Sequence, residues 1–113
     1  MVKREGEMPK YLVQASYTAA GVKGLAKEGG SSRLAAVKKA AEGLGGTVEF
    51  FYFAFGPSDA FVVLDVPDAV TAAAVSIAVN ATGTVNAALT PLLTVEEIDA
   101  ACKKTVAYRA PGA

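Results

Sequence analysis

At 113 residues the chain has the length of one domain and enough mass for one hydrophobic core without disulfide staples. Apolar residues make up 52% and charged residues 19%, which excludes a disordered chain, and 11 basic against 11 acidic residues leave no composition-level basic face for nucleic acid or anionic lipid. A single cysteine, Cys102, and the absence of histidine exclude an internal disulfide framework, Ser-His or Cys-His pairs and histidine-ligated metal.

Residues 1–8 are charged and aperiodic and read as an N-terminal extension, with the folded domain over 9–104 and a loose tail over 105–113. Tyr11 to Tyr17 alternate as a strand, with Tyr11, Val13, Ala15 and Tyr17 on one face and Leu12, Gln14 and Ser16 on the other. Thr18 to Gly30 is rich in glycine and alanine and reads as a loop with a short helix. Leu34, Val37, Ala41 and Leu44 recur at helical spacing behind a cap at Ser31 or Ser32, and Gly45-Gly46 ends that helix. Thr47 to Phe55 and Ala60 to Val66 read as two strands joined by Gly56-Pro57-Ser58-Asp59. Asp68 caps a helix over 69–81, and Val85 to Leu93 reads as a strand that Pro91 places at an edge or a bulge. Thr94 to Glu97 form a capping box that starts a last helix through about Lys104.

The order β-α-β-β-α-β plus a terminal helix predicts an α+β, ferredoxin-like βαββαβ domain: a four-stranded antiparallel sheet with its helices on one face. The other face is apolar too. If Val48, Phe50 and Tyr52 point to the helices, Phe51, Phe53, Phe55, Phe61 and Val63 point away; the opposite register is the alternative, and either leaves aromatics uncovered. Burying three rings at ~25 cal/mol per Å² is worth roughly 10 kcal/mol before association costs. A second chain packed sheet to sheet, giving a homodimer or a multiple of one, satisfies that face. Polar groups on it, Gln14, Ser16, Asp65, Asn86 and Thr90, would line either a cavity for a small apolar ligand or the rim of a dry interface.

The ordered set Met8-Pro9-Lys10-Tyr11, Tyr17-Thr18, Gly21-Val22-Lys23, Arg33, Gly45-Gly46, Gly56-Pro57-Ser58-Asp59, Pro67-Asp68, Thr82-Gly83 and Thr94-Val95-Glu96-Glu97 resembles the GYD domain family, within the dimeric α/β-barrel group. The resemblance covers residues 8–104, and Gly56 and Asp59 match the naming motif, with Ser58 at its aromatic position. It implies the sheet-to-sheet dimeric α/β barrel and assigns no established activity.

The candidate ligand-binding residues are therefore Gln14, Ser16, Phe51, Phe53, Asp59 and Asn86, with Gly56, Pro57, Ser58 and Asp59 as the turn. Asp59 serves either the turn or a cavity mouth as a base or acceptor. Tyr11, Tyr17 and Tyr52 are possible donors to a ligand, and Arg33 either binds an anion or pairs with a carboxylate. No catalytic residue stands out, and no metal or cofactor is expected. No apolar run reaches the ~18 residues of a membrane span and no secretory h-region is present, so a cytoplasmic location without membrane or nucleic-acid partners is expected. The expected function is a small oligomeric binding or structural protein; the alternative is a cofactor-free enzyme, monooxygenase- or isomerase-like, acting on a small aromatic or polyketide-like molecule.

Overall fold

Eight elements follow from these local signals in a computed structural model that describes residues 8–113; of the expected extension, residues 1–7 lie outside the described residues. They are β1 (Lys10–Tyr17), α1 (Ala19–Glu28), α2 (Gly30–Gly43), β2 (Thr47–Phe53), β3 (Ala60–Asp65), α3 (Ala69–Ala81), β4 (Val85–Leu92) and α4 (Val95–Cys102). The four strands form one antiparallel sheet in the order β2-β3-β1-β4, the ferredoxin-like arrangement. Pro91 lies on β4, an edge strand, where a missing N–H is tolerated.

Thr18 to Gly30, expected as a loop with a short helix, is a full ten-residue helix. Thr18 caps it by accepting a hydrogen bond from the Gly21 amide at 3.3 Å, and its own hydroxyl donates to the Gly83 carbonyl at 2.9 Å. Gly21 is obligatory here: a Cβ at that position would lie 1.9 Å from the Thr84 carbonyl oxygen, so the glycine lets α1 touch the backbone entering β4. The next helix starts earlier than expected. Gly29, at φ 84°, takes the cap position of α2 in place of Ser31 or Ser32, which fall in its first turn. Gly45 closes that helix at φ 77°, with the Gly45 amide on the Glu42 carbonyl and the Gly46 amide on the Ala41 carbonyl, a Schellman closure.

The core lies between the sheet and the helices. Tyr11, Val62 and Leu64 meet Ala41 of α2 and Ala72 of α3, with Val66 just past β3; Val13, Val37, Val48, Phe51, Val75 and Leu89 pack around them. The register of β2 settles the alternative left open by its aromatic run. Val48 pairs with Leu64, but Phe50 pairs with Val63, so Glu49 is an extra residue in the ladder. This bulge reverses the side-chain alternation beyond it. Val48, Phe51 and Phe53 therefore share the helical face, while Phe50 and Tyr52 share the open face with Phe61 and Val63. Phe51 and Phe53, expected as possible open-face residues, stand 4.9 Å apart on the other side.

One cation fastens this corner. The Lys10 ammonium donates to Asp65 at 2.7 Å and to Glu49, the bulged residue, at 2.9 Å, and the Thr47 hydroxyl donates to the other Asp65 oxygen at 3.3 Å. Asp65 is the one buried charged residue of the described chain, and it is fully partnered. The hydrogen bonds to Asp65 and then to Glu49 raise the Lys10 pKa above its ordinary 10.5.

Two predictions follow from these contacts. Within α1, Gly21→Ala should destabilise by about 3 kcal/mol through overpacking, whereas Gly24→Ala, with open space around its Cβ position, should stabilise by about 1 kcal/mol through helix propensity; urea unfolding of the two variants tests the opposite signs. Lys10→Met should cost about 2 kcal/mol, because it strands the Asp65 carboxylate, and adding Asp65→Leu should restore most of the loss. The Lys10 contribution should be complete below pH 10.5 and fade as pH rises through its raised folded value, which thermal melts across the alkaline range would detect.

Candidate functional site

Three alanines stand side by side on the helical face of the sheet. Ala15 of β1 pairs with Ala60 of β3 on one side and with Ala87 of β4 on the other. The neighbouring row, Val62, Val13 and Leu89, carries full-sized side chains that reach the helices. Over the alanine row the helical layer is equally lean, since α1 presents Ala20, Gly21 and Gly24 there. Small residues on both layers leave the space between them unfilled, and a cavity of about 290 Å³ opens at this end of the core.

Its walls are mostly apolar: Val13, Phe51, Val62 and Leu89 from the sheet, Leu25 and Val37 from α1 and α2, and Val75 and Val79 from α3. The polar groups sit at one side. Tyr17, Glu28 and Arg33 line it together with Thr82 and Thr84. The size is near the lower end of small-molecule sites, and the composition, apolar with a few convergent polar groups, is typical of them.

Arg33 donates from Nη1 to Glu28 Oε1 at 3.4 Å. Both side chains are more than a third exposed, at 38% and 42%, so the pair is worth only ~0–1 kcal/mol. The distance is also long for a charge-assisted bond, which usually closes to about 2.8 Å. Arg33 thus keeps donors for an incoming anion at little cost. Tyr17 is half-buried beside it. Burial, with the nearby Asp59 and Glu28 charges adding and Arg33 opposing, pushes the Tyr17 hydroxyl above the usual phenol value. At neutral pH it is a hydrogen-bond donor.

Asp59 does not open onto this space; it fixes Tyr17 from behind. Its carboxylate accepts from the Tyr17 amide at 2.8 Å, and its own amide donates to the Ala15 carbonyl at 2.7 Å. The Ser16 hydroxyl donates to the Pro57 carbonyl at 3.0 Å. The Gly56-Pro57-Ser58-Asp59 turn therefore clasps the end of β1, rather than Asp59 bonding amides within the turn. Gln14, Ser16 and Asn86 do gather on the open face, where Ser16 pairs with Asn86 and Gln14 with Phe61 and Ala88. Phe51 lines the cavity on the opposite face, and the Phe53 ring packs against Gly30 at the start of α2. The expected ligand set is thus divided between the two faces of the sheet. The cavity-forming role of Ala20, Gly24 and Glu28 has no place in a reading of 18–30 as mostly loop. The sequence signal for it is the register: three alanines that align only once the strands are paired.

Among the described residues, no cluster of three His, Cys, Asp or Glu side chains is arranged to hold a metal ion, and no helix is long and apolar enough to cross a membrane. Cys102 is exposed on α4.

An antiparallel sheet in this order with an apolar pocket under its helices defines a ferredoxin-like α+β domain with room for a ligand. The GYD domain model matches residues 11–102, and the chain belongs to that family. No curated protein and no solved structure matches the chain at a significant level.

The raised Tyr17 pKa has a direct optical test. Phenolate absorbance followed through an alkaline titration should show one component ionising above pH ~10, and Tyr17→Phe should remove it. The stability that a buried neutral phenol contributes should be complete below pH ~10 and decline as pH rises through the folded value.

Proposed function

We propose that the chain is a small-molecule-binding protein that works as a homodimer paired through its open sheet face. Its ligand is a mainly apolar molecule with one anionic or hydrogen-bonding end. The observation that carries this reading is the 290 Å³ space over the Ala60–Ala15–Ala87 row. The pocket is partly open to solvent, and an apolar body laid against its walls contributes about 25 cal/mol per Å² of apolar surface removed from water. The apolar body lies along Val13, Phe51, Val75 and Leu89, and the polar end meets Arg33 and the Tyr17 hydroxyl.

Tyr17 also supports a second reading, a cofactor-free enzyme acting on a small aromatic molecule. A protonated phenol beside a guanidinium can donate to an oxyanion that develops on a bound substrate. The raised pKa argues against Tyr17 as a base and so favours binding over proton abstraction. Pairing is supported by Tyr52, 69% exposed, and Phe50, 40% exposed, whose rings lie 5.7 Å apart on the open face.

Native mass spectrometry of the protein from its source, under gentle desolvation, tests the site. The expected spectrum is a dimer carrying a discrete small-molecule mass. That mass should disappear in Ala87→Leu, which adds bulk to the alanine row that floors the pocket, and be weakened roughly tenfold or more in Arg33→Leu, the usual worth of a lost charged hydrogen bond. Retention of the same mass by Ala87→Leu would place the ligand elsewhere and refute the cavity reading.

A further inference from the structure

The last fifth of the chain has no home on its own domain. Every residue from 91 to 113 is exposed, and α4 has no buried residue. The radius of gyration is 17.0 Å, with extents of 54 × 41 × 22 Å, whereas a compact chain of this length has about 13 Å. Yet the arm is not built as solvated chain. Val95, Ile98 and Cys102 recur at i, i+3 and i+7, one apolar stripe of α4, with Glu96, Glu97 and Lys103 turned away from it. Leu93, Val106 and Tyr108 add apolar surface at 65%, 78% and 74% exposure. The start of the helix is specified with care: the Thr94 hydroxyl accepts from the Glu97 amide at 3.0 Å while Glu97 accepts from the Thr94 amide at 2.8 Å. Eight residues are too few for a stable isolated helix even with such a cap, so the stripe requires a partner surface.

We propose that residues 93–113 are an intersubunit arm, and that α4 packs by its Val95–Ile98–Cys102 stripe on a second copy of this chain, each copy lending its arm to the other. The arm begins at the rim of the open face. Leu92, the last residue of β4, pairs with Lys10 and shares that face with Leu12 and Phe50, and the chain leaves the sheet at the next residue. Area points to the same occupant. Four strands about 4.8 Å apart and some 20–25 Å long present roughly 450 Å² per copy, short of the ~800 Å² per partner of a stable association. An arm of 21 residues, exchanged both ways, supplies the difference. With 11 basic and 11 acidic residues, two copies approach without net repulsion. The arm's role rests on the open-face pairing proposed above and is independent of what the cavity holds.

Sedimentation velocity over a concentration series tests it with the full-length chain. The double variant Val95→Asp, Ile98→Asp alters positions that are 75% and 47% exposed, so the domain should keep its far-ultraviolet circular dichroism and cooperative melt. Its dimer should dissociate at least 30-fold more readily than that of the unaltered chain. Unchanged association of this variant would overturn the arm, while loss of association in Tyr52→Asp alone would separately establish the sheet pairing. A second readout uses Cys102 as a handle. A benzophenone maleimide attached there, in a mixture of isotope-labelled and unlabelled chains, should photocross-link label to unlabelled chain. Cross-links confined to one chain, or a monomeric unaltered protein, would refute the exchange.

Discussion

A polar corner built on one ammonium group sits where the register of β2 shifts, and that shift sets which aromatic side chains enter the core. Lys10 binds Asp65, at the end of β3, and Glu49, the extra residue of β2, so it ties three strands at one corner and holds the bulge in place. The bulge in turn sends Phe51 and Phe53 toward the helices and Phe50 and Tyr52 toward the open face. Were the strand regular, that assignment would be reversed: the cavity would lose its Phe51 wall, and the open face would present a different pair of rings. The cost of burying the Asp65 carboxylate is offset because all its bonding capacity toward the interior is met by Lys10 and Thr47.

The packing of the helical layer is uneven in a purposeful way. Backbones touch at both ends of the sheet: Gly21 meets the Thr84 carbonyl near the end of β1, and Gly46, where a Cβ would lie 2.3 Å from the Asp65 carbonyl oxygen, brings the start of β2 against the end of β3 beside Lys10. A few residues along the same helix, Gly24 has nothing within 4 Å. In the first case the missing side chain permits contact, and in the second it leaves space. Propensity alone disfavours both glycines in a helix by ~1 kcal/mol. Close approach accounts for Gly21, whereas Gly24 is exposed and makes no such contact.

The fold was legible in the sequence because its signals are local. Asp68 and Thr94 as caps, Gly45 as a closing residue and Pro91 on an edge strand each have a mechanism confined to a few residues, and each sits where that mechanism requires. The order of elements then leaves few topologies. The helix α1 was not legible, because Gly21 and Gly24 lower its propensity, while the close contact of Gly21 with the β4 entrance is a tertiary feature that local reading does not see. The site was less legible still. Phe50-Phe51-Tyr52-Phe53 is apolar on both faces, so alternation contains no information about register, and a bulge has no signature in such a run. Likewise Ala15, Ala60 and Ala87 lie far apart in the chain and become a cavity floor only through strand pairing. The carboxylate partner of Asp59, the Tyr17 amide, is 42 residues away and invisible to local reading.

The two faces of the sheet are structurally separate. The cavity lies wholly between the sheet and helices α1, α2 and α3, and its lining takes nothing from the open face. Phe50, Tyr52 and the arm lie outside it. Association through the open face therefore neither fills nor occludes the pocket, and substitutions there can change assembly without touching a ligand. One route of communication remains. The clasp at the end of β1 joins both sides: Ser16, on the open face, bonds the Pro57 carbonyl, while Asp59, two residues on in the same turn, holds the Tyr17 backbone beside the cavity. A displacement of that turn on pairing would move the polar side of the pocket through two hydrogen bonds. The Gly56-to-Asp59 turn thus joins the open face to the polar side of the pocket, with Asp59 holding the Tyr17 backbone from outside the pocket lining.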